Sequence, residues 1–105
     1  MSRIEVPIGR GNRTRLQLQS DGEVVTAGAV TRAVFRFGEH CIDTQDSPLI
    51  ELTDSATVVE MRLGLIEGLA KGRHKGWLTV YDNPHPEGVA WYETRVDIVD
   101  WPVCD

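Results

Sequence analysis

The chain has 105 residues, of which 41% are apolar and 26% charged, which fits one globular domain and leaves no room for a second. No apolar run approaches the ~20 residues that a bilayer span needs, so no membrane partner is expected. The formal net charge of −5 disfavours binding to backbone phosphates, which rewards basic surfaces, and direct nucleic-acid binding is not expected.

The charge is unevenly spread. Residues 1–15 hold Arg3, Arg10, Arg13 and Arg15 against Glu5, an excess of +3, while the remainder holds seven basic and fifteen acidic residues, −8. Solvated charge on an N-terminal arm accounts for this. The sharper alternative is a basic edge that meets the acidic body of a neighbouring copy, a head-to-tail contact of the kind that closes into rings. The first residues carry no apolar signal-like region, which makes the cytoplasm the default compartment.

In chain order, Ile4, Val6 and Ile8 alternate with Arg3, Glu5 and Pro7, the pattern of a half-buried strand that Pro7 confines to an edge. Residues 1–12 therefore read as an arm or an edge strand. Leu16 and Leu18 resume the alternation, Ser20-Asp21-Gly22-Glu23 is a turn, and Val24-Val25 restarts pairing. Ala29 to Phe37 is the clearest strand, with Ala33, Phe35 and Phe37 on the core parity and Arg32 and Arg36 on the wet one. Gly38-Glu39 turns the chain into a short return arm, His40 to Asp43. Leu49 to Leu52 is short and apolar, and Thr53-Asp54-Ser55 is a further turn. Val59, Met61 and Leu63 face the core of the next strand, after which the glycine-flanked stretch Leu65 to Ala70 reads as a connection that drops Leu65 or Leu69 into the open end of the core.

The most legible stretch is Gly72 to Val99. Two runs rich in strand formers flank Asp82-Asn83-Pro84-His85-Pro86-Glu87-Gly88. That segment reads as a long hairpin connection, because its prolines lack the N–H a ladder needs and Gly88 can re-enter the strand at unusual dihedrals. Residues 100–105 form a short tail in which Pro102 ends regular pairing. About seven short strands, frequent turn signals and no credible long helix point to an all-β, antiparallel β-sandwich of the immunoglobulin-like class, with a small, partly open β-barrel as the alternative.

Chemistry is sparse. His40, His74 and His85 are scattered and fit no metal-ligand spacing, so they read as surface histidines. The acidic stretch Asp43, Asp46, Glu51 and Asp54 lacks the glycine placement of a calcium loop. No nucleophile elbow or phosphate loop is present, and the serines sit in turn or terminal contexts. An enzyme is not expected, and neither is a cofactor. Cys41 and Cys104 are too few and too far apart for a zinc motif or redox pair; reduced thiols are expected, with Cys41 beside Ile42 as a small buried group.

The aromatics remain. Trp77 and Tyr81 share one parity of their strand, and Leu78 and Val80 the other. One arrangement makes Trp77 the inter-sheet core tryptophan and lets Trp91 cap a sandwich end. The other puts Trp77, Tyr81 and Trp91 together on the outer face as a partner surface or a sugar platform.

The order of features resembles the small immunoglobulin-like modules of tailed bacteriophages and prophages, especially the N-terminal domain of baseplate upper proteins and related tail or neck components. The residues that carry the resemblance are Asp21-Gly22-Glu23-Val24-Val25 before Ala29 to Phe37, the Ile42-Asp43 arm, Gly68 to Arg73 leading into Trp77 to Asp82, and Gly88-Val89-Ala90-Trp91. It covers residues 12–99. The resemblance implies a noncatalytic structural or assembly role in a virion, made in the bacterial cytoplasm, with the chain itself or other virion proteins as partners. The candidate interface residues, read from this chain's own charge and aromatic pattern and not carried by the resemblance, are Arg3, Arg10, Arg13, Arg15, Trp77, Tyr81, Trp91 and Trp101; Arg3, Arg10 and Trp101 lie outside the matched region. The rival function is a carbohydrate-binding sandwich whose aromatics form a glycan platform.

Overall fold

A computed structural model describes residues 3–20, 23–24, 28–55 and 57–100. These residues contain ten strands and one 3-10 turn: β1 (Arg3–Pro7), β2 (Thr14–Gln17), β3 (Gln19–Ser20), β4 (Glu23–Val24), β5 (Val30–Phe37), β6 (His40–Asp43), β7 (Ile50–Thr53), β8 (Val58–Met61), the turn Leu63–Leu65, β9 (Gly72–Asp82) and β10 (His85–Val99). They form a five-stranded sheet in the order β1-β10-β9-β5-β6, a three-stranded sheet β2-β8-β7, and the small pair β3-β4. Every pairing is antiparallel except that of β1, which runs parallel to the end of β10. Among the described residues, no ladder joins the two larger sheets. The all-β expectation holds, with more strands than the seven counted from sequence and with β9 and β10 far longer than short. The Asp21-Gly22 turn, Val25, Trp101, Pro102 and Cys104 lie outside the described residues.

Alternation sets the core. Ala33, Phe35 and Phe37 of β5, Leu78 and Val80 of β9, and Val96 and Ile98 of β10 point inward, where they meet Ile50 of β7 and Val59 and Met61 of β8. Ile4 and Val6 extend this cluster along β1. Phe35 and Phe37 pack with ring centroids 5.8 Å apart, and burying each ring contributes about 1.5–3 kcal/mol. The Phe35 ring and Val96 come so close to β9 that only glycine fits at 76: a Cβ there would lie 2.6 Å from Phe35 Cζ and 2.8 Å from Val96 Cγ2.

Two local expectations change, and a third, that Leu65 or Leu69 reaches the core, is met by Leu69. The connection between β9 and β10 is two residues, Asn83-Pro84, since Asp82 and His85 already pair. Asp82 Oδ1 accepts a hydrogen bond from the His85 backbone N–H at 3.0 Å and lies 2.7 Å from His85 Nδ1, closing the turn. Pro86 and Gly88 are absorbed in a register shift between His85 and Val89, and Gly88 sits at φ +85° with Tyr81 and Thr79 packed too close for a Cβ.

Cys41 is exposed because Ile42 takes the inward position of β6. Leu65 is 40% exposed; Leu63 is buried at the 3-10 turn, and Ile66 and Leu69 pack on the core in its place.

Candidate functional site

The outer face of the five-stranded sheet, the side away from the shared core, presents side chains set by regular structure. Register arranges it in rows. Arg36 of β5 stands opposite Cys41 on one side and Trp77 on the other, and Trp77 stands opposite Glu93. The next row runs Asp43, Val34, Thr79, Ala90. Val34, Arg36, Cys41, Trp77 and Thr79 line one shallow depression. Trp77 is 44% exposed at its centre, because Gly76, Leu78 and Val80 take the inward positions of β9 and leave residue 77 on the wet parity.

One end of the face is closed by an ion pair. Arg32 Nε lies 3.0 Å from both carboxylate oxygens of Asp43, and its Nη2 also donates to Oδ2. The guanidinium carbon stands 4.7 Å from the centroid of the Tyr81 ring, a cation–π contact. Hydrogen bonding from Arg32 holds the Asp43 carboxyl below the usual carboxylate range; burial opposes this, and the Gln45 N–H adds to it at 2.9 Å. The face of Tyr81 is therefore occupied from within the chain.

The other end is charged throughout. Asp97 is buried and surrounded by arginines: Arg3 Nε at 2.6 Å from Oδ2, Arg95 Nε at 3.4 Å and Arg73 Nε at 3.9 Å from Oδ1. Lys75 lies 3.5 Å from Glu93. Arg36, by contrast, is exposed and makes no ion pair among the described residues.

The aromatics divide. Trp77 and Tyr81 share the outer face; Trp91 packs partly against the core, though it also lines a hollow with Trp77, Thr79, Ala90 and Glu93. A register shift between Ala90 and Tyr92 leaves Trp91 as an extra residue in β10, and both Trp91 and Tyr92 pack against the core. With Leu16, Leu18 and Leu78 they line a cleft of about 350 Å³ beside the edge of β2. Trp77 is likewise not the inter-sheet core tryptophan; that space is filled by Phe35, Leu78 and Val96.

The basic N-terminal residues also separate. Arg3 is held at the edge strand by Glu5 and Asp97. Arg13 lies 3.4 Å from Glu60, and Arg15 lies 2.8 Å from Asp54 and 3.4 Å from Glu60, on the outer side of the three-stranded sheet. Arg10 is half-buried in the connection between β1 and β2, with no ion pair among the described residues. The acidic partners of this region thus belong to the same chain.

The histidines do not converge: His40 stacks on Phe37 with centroids 5.3 Å apart, and His85 is held by Asp82. Among the described residues, no group of three or more His, Cys, Asp or Glu side chains is placed to hold a metal ion, and no helix is long and apolar enough to cross a membrane.

The sequence reading missed Arg36, Val34 and Thr79 as members of the site. The alternation signal places each on the wet parity, but only cross-strand register brings them around Trp77. Comparison with protein-family models, with characterised proteins and with solved structures finds no match to this chain.

Proposed function

We propose that this domain is a noncatalytic assembly module that docks through the outer face of its five-stranded sheet, joining copies of itself or larger virion components of the phage class its sequence resembles. The observation that carries the reading is Trp77, a large aromatic held 44% exposed in the middle of a regular sheet and flanked by Arg36 and Glu93. Tryptophan and arginine are the residues most enriched among interface hot spots, and a rigid sheet presents them at little entropic cost.

An immunoglobulin-like identity belongs to the same proposal. Three strands in the order β2-β8-β7 facing β6-β5-β9-β10, with an N-terminal strand beside the last one, support the two-sheet connectivity of that class. The glycan-platform alternative has less support, since Trp91 packs on the core and Tyr81 already carries Arg32, which leaves Trp77 as the most open of the three rings.

Light scattering coupled to size exclusion tests the reading. Trp77→Ala should weaken association by about tenfold or more while leaving the fold intact, the behaviour of a central hot spot. Unchanged association in this variant, or a strictly monomeric chain that binds glycans, would sink it. Flanking capsid, connector or tail genes would independently support the virion assignment.

A further inference from the structure

We propose that the outer face receives the β9–β10 tip of a second copy, in a heterologous, head-to-tail contact. The inference rests on the reading of this face as a docking surface and names its occupant. The argument is charge. Six basic side chains, Arg3, Arg32, Arg36, Arg73, Lys75 and Arg95, share the face with four acidic ones, Glu5, Asp43, Glu93 and Asp97, an excess of +2 in a chain of formal charge −5, so everything else carries −7. Two such faces brought together would oppose like charge, which disfavours an isologous pair. The face complements the remaining surface of the same molecule instead.

Within that surface the β9–β10 tip fits best. Residues 83–87 are all exposed, and the segment 82–87 carries Asp82 and Glu87 with no lysine or arginine. His85, the remaining titratable group there, is engaged by Asp82. Pro84 and Pro86 and the Asp82–His85 bond restrict the tip before it binds, so little ordering entropy is lost on docking. On the receiving side, Arg36 has no ion pair among the described residues, and Arg73 reaches Asp97 only at 3.9 Å with its side chain 78% exposed. These two cations are available to the incoming carboxylates, with Trp77, directly opposite Arg36 and on the same strand as Arg73, as the apolar contact.

A mixing experiment tests the geometry. The face variant Arg36→Ala with Arg73→Ala keeps its tip, and the tip variant Glu87→Lys keeps its face; all three positions are exposed, the face is neutralised and not reversed so that the tip variant's new lysine gains no partner on it, and circular dichroism verifies that each variant folds. In sedimentation velocity at low salt the wild-type chain should associate. Each variant alone should weaken association by about tenfold or more, and an equimolar mixture should form a 1:1 dimer that grows no further. A mixture that stays monomeric while Trp77→Ala still weakens wild-type association would overturn the head-to-tail contact but leave the docking face standing. Wild-type chain that remains monomeric at high concentration would overturn it outright.

Discussion

At the scale of single residues, Arg32 and Asp43 form a bidentate ion pair on the outer face. Asp43 is nine-tenths buried by surface area, and its carboxylate accepts from the guanidinium on both oxygens and from the Gln45 N–H. Because its folded-state pKa is depressed, the ionised form is favoured by folding. The stabilisation is therefore complete above the unfolded-state value of about 3.9 and is lost as pH falls through the lower folded-state value. Asp43→Asn keeps the shape and one acceptor while removing the charge. Its thermal midpoint should fall below that of the wild type at pH 6–7, and the gap should narrow below about pH 4 as the wild-type carboxylate protonates. A gap independent of pH would show that shape, and not ionisation, sets the contribution of Asp43. This pair was within reach of the sequence: the turn at Gly38-Glu39 fixes Phe37 against His40, and counting back from it puts Val34 opposite Asp43 with Arg32 on the diagonal.

At the scale of elements, the β9–β10 hairpin shows what alternation reveals and what it hides. Regular parity along β9 correctly separates Leu78 and Val80 from Trp77 and Tyr81, because every residue of that strand is paired on both sides without a break between Gly76 and Val80. On β10 the same rule fails at Trp91, where one inserted residue moves the indole from the outer face partly to the core side. Nothing in the local sequence marks that insertion; it accompanies the packing of Trp91 and Tyr92 against the core, where they line one cleft with Leu16 and Leu18. The two tryptophans should thus behave oppositely. Trp91→Ala removes a half-buried ring from the core edge and should cost about 2–3 kcal/mol in urea unfolding, somewhat below the 3–5 kcal/mol of a fully buried aromatic. Trp77→Ala should fall within about 0.5 kcal/mol of wild type, as exposed substitutions do. Equal losses for the two would put both rings in the same environment and contradict the bulge.

At the scale of the whole molecule, the charge imbalance that the sequence displays between its beginning and its body is re-sorted by folding. Arg3, Arg13 and Arg15 find carboxylates on β1, β10 and β8 and in the β7–β8 turn, so an arm distinguished by position in the chain is dispersed over two sheets. What survives is an asymmetry between surfaces, visible only once β1 lies beside β10. The same long-range pairing joins the two sheets through one core: Met61 of β8 is fully buried and belongs to the cluster that contains Phe35, Leu78 and Val96 of the opposite sheet. A domain with a single shared core unfolds as a unit. Met61→Ala should lower stability by about 2–5 kcal/mol. Its effect should also appear equally in far-ultraviolet circular dichroism, which reports both sheets, and in tryptophan fluorescence, where Trp91 reports β10 and the core edge. Were the fluorescence transition of this variant to stay at the wild-type midpoint while the dichroism transition moved, the three-stranded sheet would be opening on its own. The outer face could then be presented by a half-unfolded molecule. Coincident transitions would mean that the outer face proposed for docking is formed only when both sheets are closed on Met61.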